Sequence, residues 1–358
     1  MLSLENITAA VDSWLNQTFN PSIALLSECV IVGLLAIGLF AVLGLVLVYM
    51  ERKVSAFMQI RLGPNRVGFF GTAQTLADTL KLVVKEGLTP DGADRFLFNL
   101  APFVVMIAAM LILAPIAFAK GFQMWDLNIG VLYVSAVSSI SVIGILMAGW
   151  ASNNKYSLLG AMRSGAQIVS YELSAGLSVI SIVVLTGSLR ISDIIASQET
   201  GWWIFKGHIP AVISFIIFII AVTAETNRAP FDMAEAESEL TAGFHTEYSG
   251  MKFALFFLAE YVNIFIVCAI GAILFLGGWM PFHIGHWNSF NHVMDYIPSS
   301  FWFMGKTFLL IFVIMWFRWT FPRLRIDQLL NLEWKYLLPL SMFNLLLMTL
   351  IAILGWYF

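Results

Sequence analysis

The residues of this chain best suited to chemistry are carboxylates that lie within or beside long apolar runs. Glu172 and Glu260 each interrupt such a run, and Glu225 ends a third one. An acidic loop over residues 225–250 follows, with the sequence ETNRAPFDMAEAESELTAGFHTEYSG. Acidic side chains are costly inside a membrane and are usually kept for proton or ion traffic. Burial and neighbouring carboxylates both raise a carboxyl pKa, so such groups can exchange protons near neutral pH.

The composition indicates a membrane protein. Of the 358 residues, 59% are hydrophobic and 11% are charged, whereas soluble domains carry about 25% charged residues. A membrane span takes about 20 mostly apolar residues. The sequence therefore predicts an all-α membrane protein, a single polytopic membrane domain over residues 1–358. Its eight predicted spans lie at about 23–50, 98–119, 129–151, 165–187, 209–226, 253–276, 302–321 and 336–357.

The basic residues predict how the chain is oriented. Cytoplasmic segments carry an excess of Lys and Arg. If both termini lie outside, the inner segments hold all of the 19 Lys and Arg residues except Lys120, Arg190, Lys206 and Lys306. We therefore expect both termini on the outer side, and the large loops 51–97 and 227–252 on the inner side, where they carry function.

The first inner loop contains a predicted amphipathic helix over about residues 72–86. Its apolar residues repeat at helical spacing, and Asp78, Lys81 and Lys85 fall on the other side. Two compatible interpretations stay open: the helix lies at the membrane interface, or it docks on the spans through the same apolar stripe. The stripe consists of Ala73, Leu76, Ala77, Leu80, Val83 and Val84.

The carboxylates of the spans are expected at one depth. Glu172 and Glu260 lie about seven and eight residues into spans that run from inside to outside, which is roughly 10–12 Å of helix. Glu225 lies at the inner end of the fifth span. Together with the loop acids they predict a proton path in the inner half of the membrane. The loop acids are Asp232, Glu235, Glu237, Glu239 and Glu247.

Two alternatives to a proton path remain. An acid in a span is also explained by pairing with Arg228 or with a buried hydroxyl, and the loop by a solvated acidic turn. The second, third, seventh and eighth predicted spans have no acid deep within them. A path formed by this chain alone would therefore be incomplete and would be completed by a partner.

Basic residues also follow the seventh span, in the sequence RWTFPRLRID. Arg318, Arg323 and Arg325 are typical of a positive anchor on the inner side. The anchor is the favoured interpretation, and the alternative is that these residues polarise the headgroup of a lipid-like ligand.

Cysteine and histidine give little sign of a redox cofactor. Cys29 and Cys268 lie far apart in apolar runs, whereas an iron–sulfur cluster needs four Cys at defined spacing. No His lies deep in a predicted span, which disfavours haem. His283 and His286 form an HxxH pair in a loop, which by itself more often marks a polar loop than a metal site.

Several long motifs resemble one family of membrane proteins, the H subunits of the proton-pumping NADH:quinone oxidoreductase, respiratory complex I. The mitochondrial counterpart in this family is the first mitochondrially encoded subunit of the complex. The resemblance runs from about Tyr49 to the C-terminus. One departure is Ala236, where the family usually has Gly. The motifs are Glu51-Arg52-Lys53, QIRLGPNRVG at 59–68, Ala77-Asp78 through Lys85-Glu86, SYEL at 170–173, ETNRAPFD at 225–232, ESEL at 237–240, Glu247-Tyr248 and RLRIDQL at 323–329.

The resemblance implies roles for individual residues. A protein of this family would build most of a chamber through which a quinone enters from the bilayer, with the headgroup reduced against neighbouring subunits. The implied chamber residues are Arg52, Arg61, Asp78, Lys81, Arg228, Asp232 and Arg318. The implied proton path consists of Glu172, Glu225, Glu235, Glu237, Glu239, Glu247 and Glu260.

The resemblance also implies cofactors, partners and location. Quinone would be a substrate, and we expect no haem, flavin, iron–sulfur cluster or metal on this chain, since the family's redox centres lie on other subunits. The expected partners are the hydrophilic-arm subunits that carry the quinone site and the terminal iron–sulfur cluster, the membrane-arm subunits and membrane lipid, and not nucleic acid. The expected location is the bacterial cell inner membrane.

Two other functions stay open at this point. One is that of the homologous membrane protein of a hydrogenase or ferredoxin-linked complex that uses no quinone. The other is an autonomous secondary transporter, which predicts inverted repeats and helices broken by Gly or Pro at the membrane midplane. The sequence shows neither of these two features.

Overall fold

The fold is a bundle of long apolar helices. The computed structural model describes residues 20–233, 240–283 and 287–356, together with Ser13 and Gln17. Within these ranges eight helices are long and apolar enough to cross a membrane, and the only strand pairing is one isolated bridge between Ala119 and Phe122. The predicted all-α membrane fold is confirmed.

Seven of the crossings are single helices, and short helices lie between some of them. In chain order the helices are α1 (Pro21–Met58), α2 (Gln74–Val84), α3 (Arg95–Leu113), α4 (Gly130–Ala151), α5 (Lys155–Thr186), α6 (Ile191–Ala196), α7 (Trp203–Lys206), α8 (His208–Glu225), α9 (Gly250–Leu276), α10 (Asn288–Asp295) and α11 (Ser299–Thr320). The eighth crossing, Ile326–Leu354, combines α12 (Ile326–Leu332), a π-helical turn (Glu333–Leu337) and α13 (Leu338–Leu354).

Local sequence signals explain where α3 and α5 begin and where α5 ends. The Asp94 side chain accepts hydrogen bonds from the backbone N–H groups of Phe96 and Leu97, at 3.0 and 3.3 Å, and so caps α3. Asn154 caps α5 in the same way through the backbone N–H of Tyr156, at 2.9 Å. Such caps satisfy N–H groups that have no partner within the helix. α5 ends at Gly187, whose φ of 69° lies in the left-handed region that favours glycine.

Two helices form the centre of the bundle. α9 packs against α1, α3, α8 and α11, and α5 packs against α4, α8 and α13. α5 begins at Lys155, well before the predicted span that starts at 165, so nearly three additional turns of α5 reach the segment after α8. This contact is close, because Gly160 of α5 lies against the short 3₁₀ turn Gly243–His245.

The amphipathic helix α2 is present, but its apolar stripe is not the docking surface. α2 packs on α1 and α9 and turns Thr75 inward. Leu76, Leu80 and Val84 are 52%, 57% and 85% exposed. The interpretation that α2 docks on the spans through this stripe is therefore wrong. The stripe is left open to lipid or to another chain.

The eighth crossing carries a buried acid, contrary to the sequence interpretation that it has none. The helical crossing starts at Ile326, ahead of the predicted start at 336, and Glu333 lies inside it with 0% exposure. In the sequence Glu333 and Lys335 look like the end of a polar loop. The π-helical turn instead points Glu333 into the bundle and leaves Lys335 exposed.

Two glycines of α5 give a matched test of this packing. A Cβ at Gly160 would lie 2.8 Å from the Cα of Gly243 and 2.9 Å from the backbone N of Phe244. A Cβ at Gly176 would meet nothing within 4 Å. We expect Gly160→Ala to destabilise the protein by about 1–3 kcal/mol through overpacking. Gly176→Ala should stabilise it by up to about 1 kcal/mol through helix propensity. The thermal midpoint of the purified protein in detergent measures both, and equal shifts would contradict the contact.

Candidate functional site

Four charged side chains from distant parts of the chain meet in a buried cluster, named here the ion cluster: Glu51, Arg228, Glu260 and Arg318. Arg228 Nη1 lies 3.3 Å from Glu51 Oε1, and Arg228 Nη2 lies 3.1 Å from Glu260 Oε1. Arg318 donates a second hydrogen bond to Glu51. The side chains of Arg228 and Glu51 are 5% and 8% exposed. The guanidinium of Arg228 also stacks on the ring of Tyr261, 4.5 Å from its centroid.

The ion cluster is electrically balanced, with two carboxylates and two guanidinium groups. Buried charges are tolerated only when they are paired, and removing one member of a buried pair typically costs about 3–5 kcal/mol. The members come from α1, the segment after α8, α9 and α11. The cluster therefore fixes three crossing helices against the segment that follows α8.

A second group of charges, named here the charged edge, lies beside the ion cluster on the more exposed side of α1: Arg52, Asp78 and Lys81. Arg52 Nη1 lies 2.5 Å from Asp78 Oδ2, and Lys81 Nζ lies 3.7 Å from Asp78 Oδ1. Burial alone would raise the pKa of Asp78, but hydrogen bonds from Arg52 and Gln74 and the charges of Arg52 and Lys81 together lower it. Asp78 is thus held as an anion that anchors α2 on α1.

Two of the implied chamber residues lie apart from both groups. Arg61 is exposed and donates to the side chain of Gln59. Asp232 is half-buried, and its backbone carbonyl accepts a hydrogen bond from Arg323. The structure therefore joins Arg228 and Arg318 through Glu51, and Arg52 and Lys81 through Asp78, but it does not bring Arg61 into either group.

The carboxylates of the spans line two cavities that share a wall. The smaller cavity is lined by Glu225, Glu260 and Asn263 among others. The larger cavity lies between α4, α5, α8 and α9 and is lined mainly by apolar residues, with Glu172, Glu225 and Asn263 among its polar ones. Glu172 accepts a hydrogen bond from Ser139. The residues common to both cavities are Ser141, Ile168, Glu225, Thr226 and Asn263.

The cavities connect to the ion cluster through Glu260. Glu260 lines the smaller cavity and also pairs with Arg228. Two adjoining cavities and one ion pair therefore link Glu172 through Glu225 to Glu260 and on to Arg228. Glu172, Glu225 and Glu260 are the three acids placed at one depth from the sequence, and the structure brings them together.

Other acids of the implied proton path are not part of this set. Glu247 accepts a hydrogen bond from Asn154 Nδ2 at 2.6 Å and faces an open groove with Pro90 and Gly92 rather than either cavity. Three further acids of the implied path lie outside the described residues: Glu235, Glu237 and Glu239. Ala236 also lies outside them.

Two residues of the site have no role in the sequence interpretation. Glu51 appears there only as part of a motif, although it is the first charge after the longest apolar run and so marks where α1 leaves the hydrocarbon. No signal in the sequence distinguishes His245 from its loop neighbours. Its ring is 6% exposed, packs against Phe253 and Phe256, and lines the smaller cavity with Glu225 and Glu260.

His245 is a neutral group within this carboxylate set. Burial lowers its pKa from 6.5 to about 3, and Nδ1 has no hydrogen-bond partner among the described residues. A neutral imidazole can accept a proton at one ring nitrogen and donate from the other. It can therefore relay protons between groups on the two sides of the ring.

The depressed pKa of His245 predicts how stability depends on pH. Between pH 3 and 6.5 the unfolded chain binds a proton at this residue and the folded chain does not, so stability rises with pH. Lowering the pH from 7 to 5 should cost about 2 kcal/mol through this residue. His245→Asn should flatten the pH dependence of the thermal midpoint over this range. His292→Asn, at an exposed position, is the control, and an unchanged slope in His245→Asn would contradict the assignment.

The described residues contain no group of three or more His, Cys, Asp or Glu able to hold a metal ion. Cys29 and Cys268 are both free thiols.

Comparisons with known proteins place the chain in a family. The family model described as NADH dehydrogenase matches residues 30–349. The H subunit of the NADH-quinone oxidoreductase of Bacteroides thetaiotaomicron is 60% identical over 335 residues, which is 94% of either chain. The same protein of Bacteroides fragilis is 57% identical over 352 residues, covering 97% of this chain and 98% of the relative.

A third relative matches over the full length of both chains. The corresponding NADH-quinone oxidoreductase protein of Phocaeicola vulgatus, again the H subunit, is 52% identical over 358 residues, the whole of both chains. Eight apolar crossings, a buried ion cluster that takes Glu51 and Arg228 from the quoted motifs, and identities above one half over nearly the full length all agree. The chain therefore belongs to the NADH dehydrogenase family, as the integral membrane H subunit of an NADH-quinone oxidoreductase, respiratory complex I.

Proposed function

We propose that this subunit forms much of the quinone-binding chamber of complex I and links quinone reduction to proton translocation. The observation that carries the proposal is the Arg228–Glu260 pair, at 3.1 Å. Arg228 belongs to the ion cluster near the inner ends of α1 and α11, and Glu260 lines a cavity that also holds Glu225. One ion pair thus connects a charged region suited to a quinone headgroup with a set of carboxylates suited to protons.

The chamber is proposed at the inner end of α1. The consecutive residues Glu51 and Arg52 bind different neighbours. Glu51 pairs with Arg228 and Arg318, and Arg52 pairs with Asp78. Guanidinium groups are fixed donors for a quinone carbonyl oxygen. The exposed stripe of α2 beside them gives an apolar surface along which an isoprenoid tail can pass. Asp232 and Arg61 complete the set proposed for the chamber.

Coupling follows from the charge balance of the ion cluster. Quinone reduction consumes protons and changes the charge in the chamber. Arg228 is shared between Glu51 and Glu260, so a stronger pull toward one carboxylate weakens its hold on the other. A Glu260 released from Arg228 changes the electrostatic field at Glu225 and Glu172. Such a change in the field alters the proton affinity of these acids, so they take up or release protons.

The acidic loop and the other subunits complete the proton path. Its entry from the inner side is proposed to be supplied by four loop acids: Glu235, Glu237, Glu239 and Glu247. The electron donor belongs to the hydrophilic arm, and the membrane arm continues the proton path. We place the subunit in the bacterial cell inner membrane with both termini outside, because the basic residues concentrate on the inner segments. The names of its relatives favour quinone over the hydrogenase-type function.

The charged edge gives a test of the chamber. Asp78→Asn removes the charge that holds Arg52 and should raise the apparent KM for quinone several-fold and change the sensitivity to quinone-site inhibitors. The KM for NADH should not move, because the nucleotide site lies on another subunit. Asp126→Asn is the matched control, since Asp126 forms a similarly exposed ion pair with Arg190. Quinone kinetics that stay normal in assembled Asp78→Asn complex would show that the edge only anchors α2.

The carboxylate set gives a test of coupling. Glu225→Gln keeps the shape of the side chain and removes its titration, so quinone-linked turnover and proton pumping should fall roughly tenfold or more. Electron transfer from NADH to an artificial acceptor that bypasses quinone should survive. Glu199→Gln changes an exposed loop acid and should have no effect. Normal pumping by assembled Glu225→Gln complex would mean that Glu225 is structural.

A further inference from the structure

A second buried carboxylate lies on the far side of α5 from Glu172. Glu333 is 0% exposed, and its Oε2 accepts a hydrogen bond from Ser174 Oγ at 3.0 Å. Ser174 and Glu172 are two positions apart, so they point about 200° away from each other around the helix. Glu172 faces the larger cavity, whereas Ser174 faces the eighth crossing. Glu333 is therefore separate from the carboxylate set described above.

No cation neutralises Glu333 within the described part of the chain. Its Oε1 has no hydrogen-bond partner, and the residue forms none of the ion pairs found there. The titratable group facing it from α5 is Tyr171, whose hydroxyl donates to the carbonyl of Leu329 at 3.0 Å. Lys335 and Tyr336 of its own segment are exposed. An ionised carboxylate buried without a cation is costly, so a proton at Oε1 relieves the site.

A row of buried polar side chains continues from Glu333 between α5, α8 and α13. Ser174, Ser178 and Ser181 lie on one face of α5, and each is at most 2% exposed. Ser181 Oγ lies 2.7 Å from Ser214 Oγ of α8, and Asn344 Nδ2 of α13 donates to the same Ser214 oxygen at 2.7 Å. We name these residues the polar seam: Glu333, Ser174, Ser178, Ser181, Ser214 and Asn344.

The polar seam ends on another unsatisfied atom. Asn344 Oδ1 is buried and has no hydrogen-bond partner among the described residues. From Ser174 to Ser181 the seam advances about 10 Å along α5, toward the outer end of the bundle. The ionisable residues of α8 do not enter it, because His208 and Glu225 lie at the two ends of that helix. The seam thus has an unsatisfied oxygen at each end and hydroxyl groups between.

Helix association accounts for part of this arrangement. Ser and Asn side chains commonly hold membrane helices together through hydrogen bonds, and that explains Ser181, Ser214 and Asn344. It does not explain Glu333, because a serine or glutamine there would bond Ser174 without burying an acid. Acids within membrane spans are kept for proton or ion movement. The π-helical turn that points Glu333 inward is itself a rare feature that is frequent at functional sites.

We propose that Glu333 is a proton-exchange site, which binds a proton at Oε1 and passes it along the polar seam toward the outer half of the membrane. The bond that forms is Oε1–H, and the bond that breaks on release is the same one. The serine hydroxyls, each of which can donate and accept a hydrogen bond, carry the proton onward, and no electron is transferred. Only the coupling of this proton exchange to quinone reduction rests on the proposed function. Proton binding at Glu333 is measurable in the resting complex.

Infrared difference spectroscopy of the intact complex tests the site. A protonated carboxyl group gives a C=O stretching band distinct from that of a carboxylate. We expect such a band to titrate with pH, to shift in D₂O and to vanish in Glu333→Gln. Ser174→Ala should move the band to higher frequency, because the carboxyl loses its hydrogen bond from Ser174. Glu28→Gln, an exposed acid of α1, should leave the band unchanged. Thermal midpoints of the three variants report whether each complex is folded.

Two results would overturn the proposal. One is identical spectra for the wild type and a folded Glu333→Gln complex at every pH. The other is a Glu333 band that responds to neither pH nor D₂O, which would make the residue a structural acid. Failure here is distinguishable from failure of the proposed function. If pumping is normal in Glu225→Gln but the Glu333 band titrates as expected, the proposed function fails and the Glu333 site stands. If pumping is lost in Glu225→Gln but no Glu333 band is found, the Glu333 site fails and the proposed function stands.

Discussion

The position of Arg228 between two buried carboxylates is the constraint on which the rest of the site depends. A guanidinium group keeps its charge at any relevant pH, so it can be buried only where carboxylates meet it. Glu51 and Glu260 do so from α1 and α9, and Arg318 of α11 restores the charge balance. These contacts tie three crossing helices together. They also hold the segment after α8, to which Arg228 belongs, against the bundle.

α5 presents polar groups on two of its faces. Its Asn154 cap and the glycine at its end, Gly187, define a helix of 32 residues. Glu172 on one face lines the apolar cavity beside Glu225, and Ser174 on the other face bonds Glu333. A single helix thus separates the half-buried Glu172 from the buried Glu333, and the two acids would repel each other if they shared one site.

The surfaces that remain open suit a subunit surrounded by other chains and by lipid. The apolar stripe of α2 is exposed, and the larger cavity is lined in part by exposed residues of α4 and α5 such as Leu132 and Ile180. Apolar surface of this extent marks contact with a membrane or a partner protein. It agrees with membership of a multisubunit oxidoreductase.

The sequence by itself determined the class of protein, the eight crossings, the amphipathic helix and the family. It also predicted that Glu172, Glu225 and Glu260 share one depth. These properties depend on the length of apolar runs, on helical periodicity and on local motifs, all of which can be read along the chain. The fixed rise of an α-helix converts a position in sequence into a depth in the membrane.

Only the tertiary structure decided which charges meet. Glu51 and Arg228 are 177 positions apart, and Ser174 and Glu333 are 159 apart. The structure also separated Glu247 and Arg61 from the residues grouped with them by motif, and it buried His245. A side chain's partners and its exposure depend on which helices pack together and on how each is rotated. A one-dimensional pattern does not contain that rotation, and a single π-helical turn was enough to move Glu333 from an apparent loop into the core.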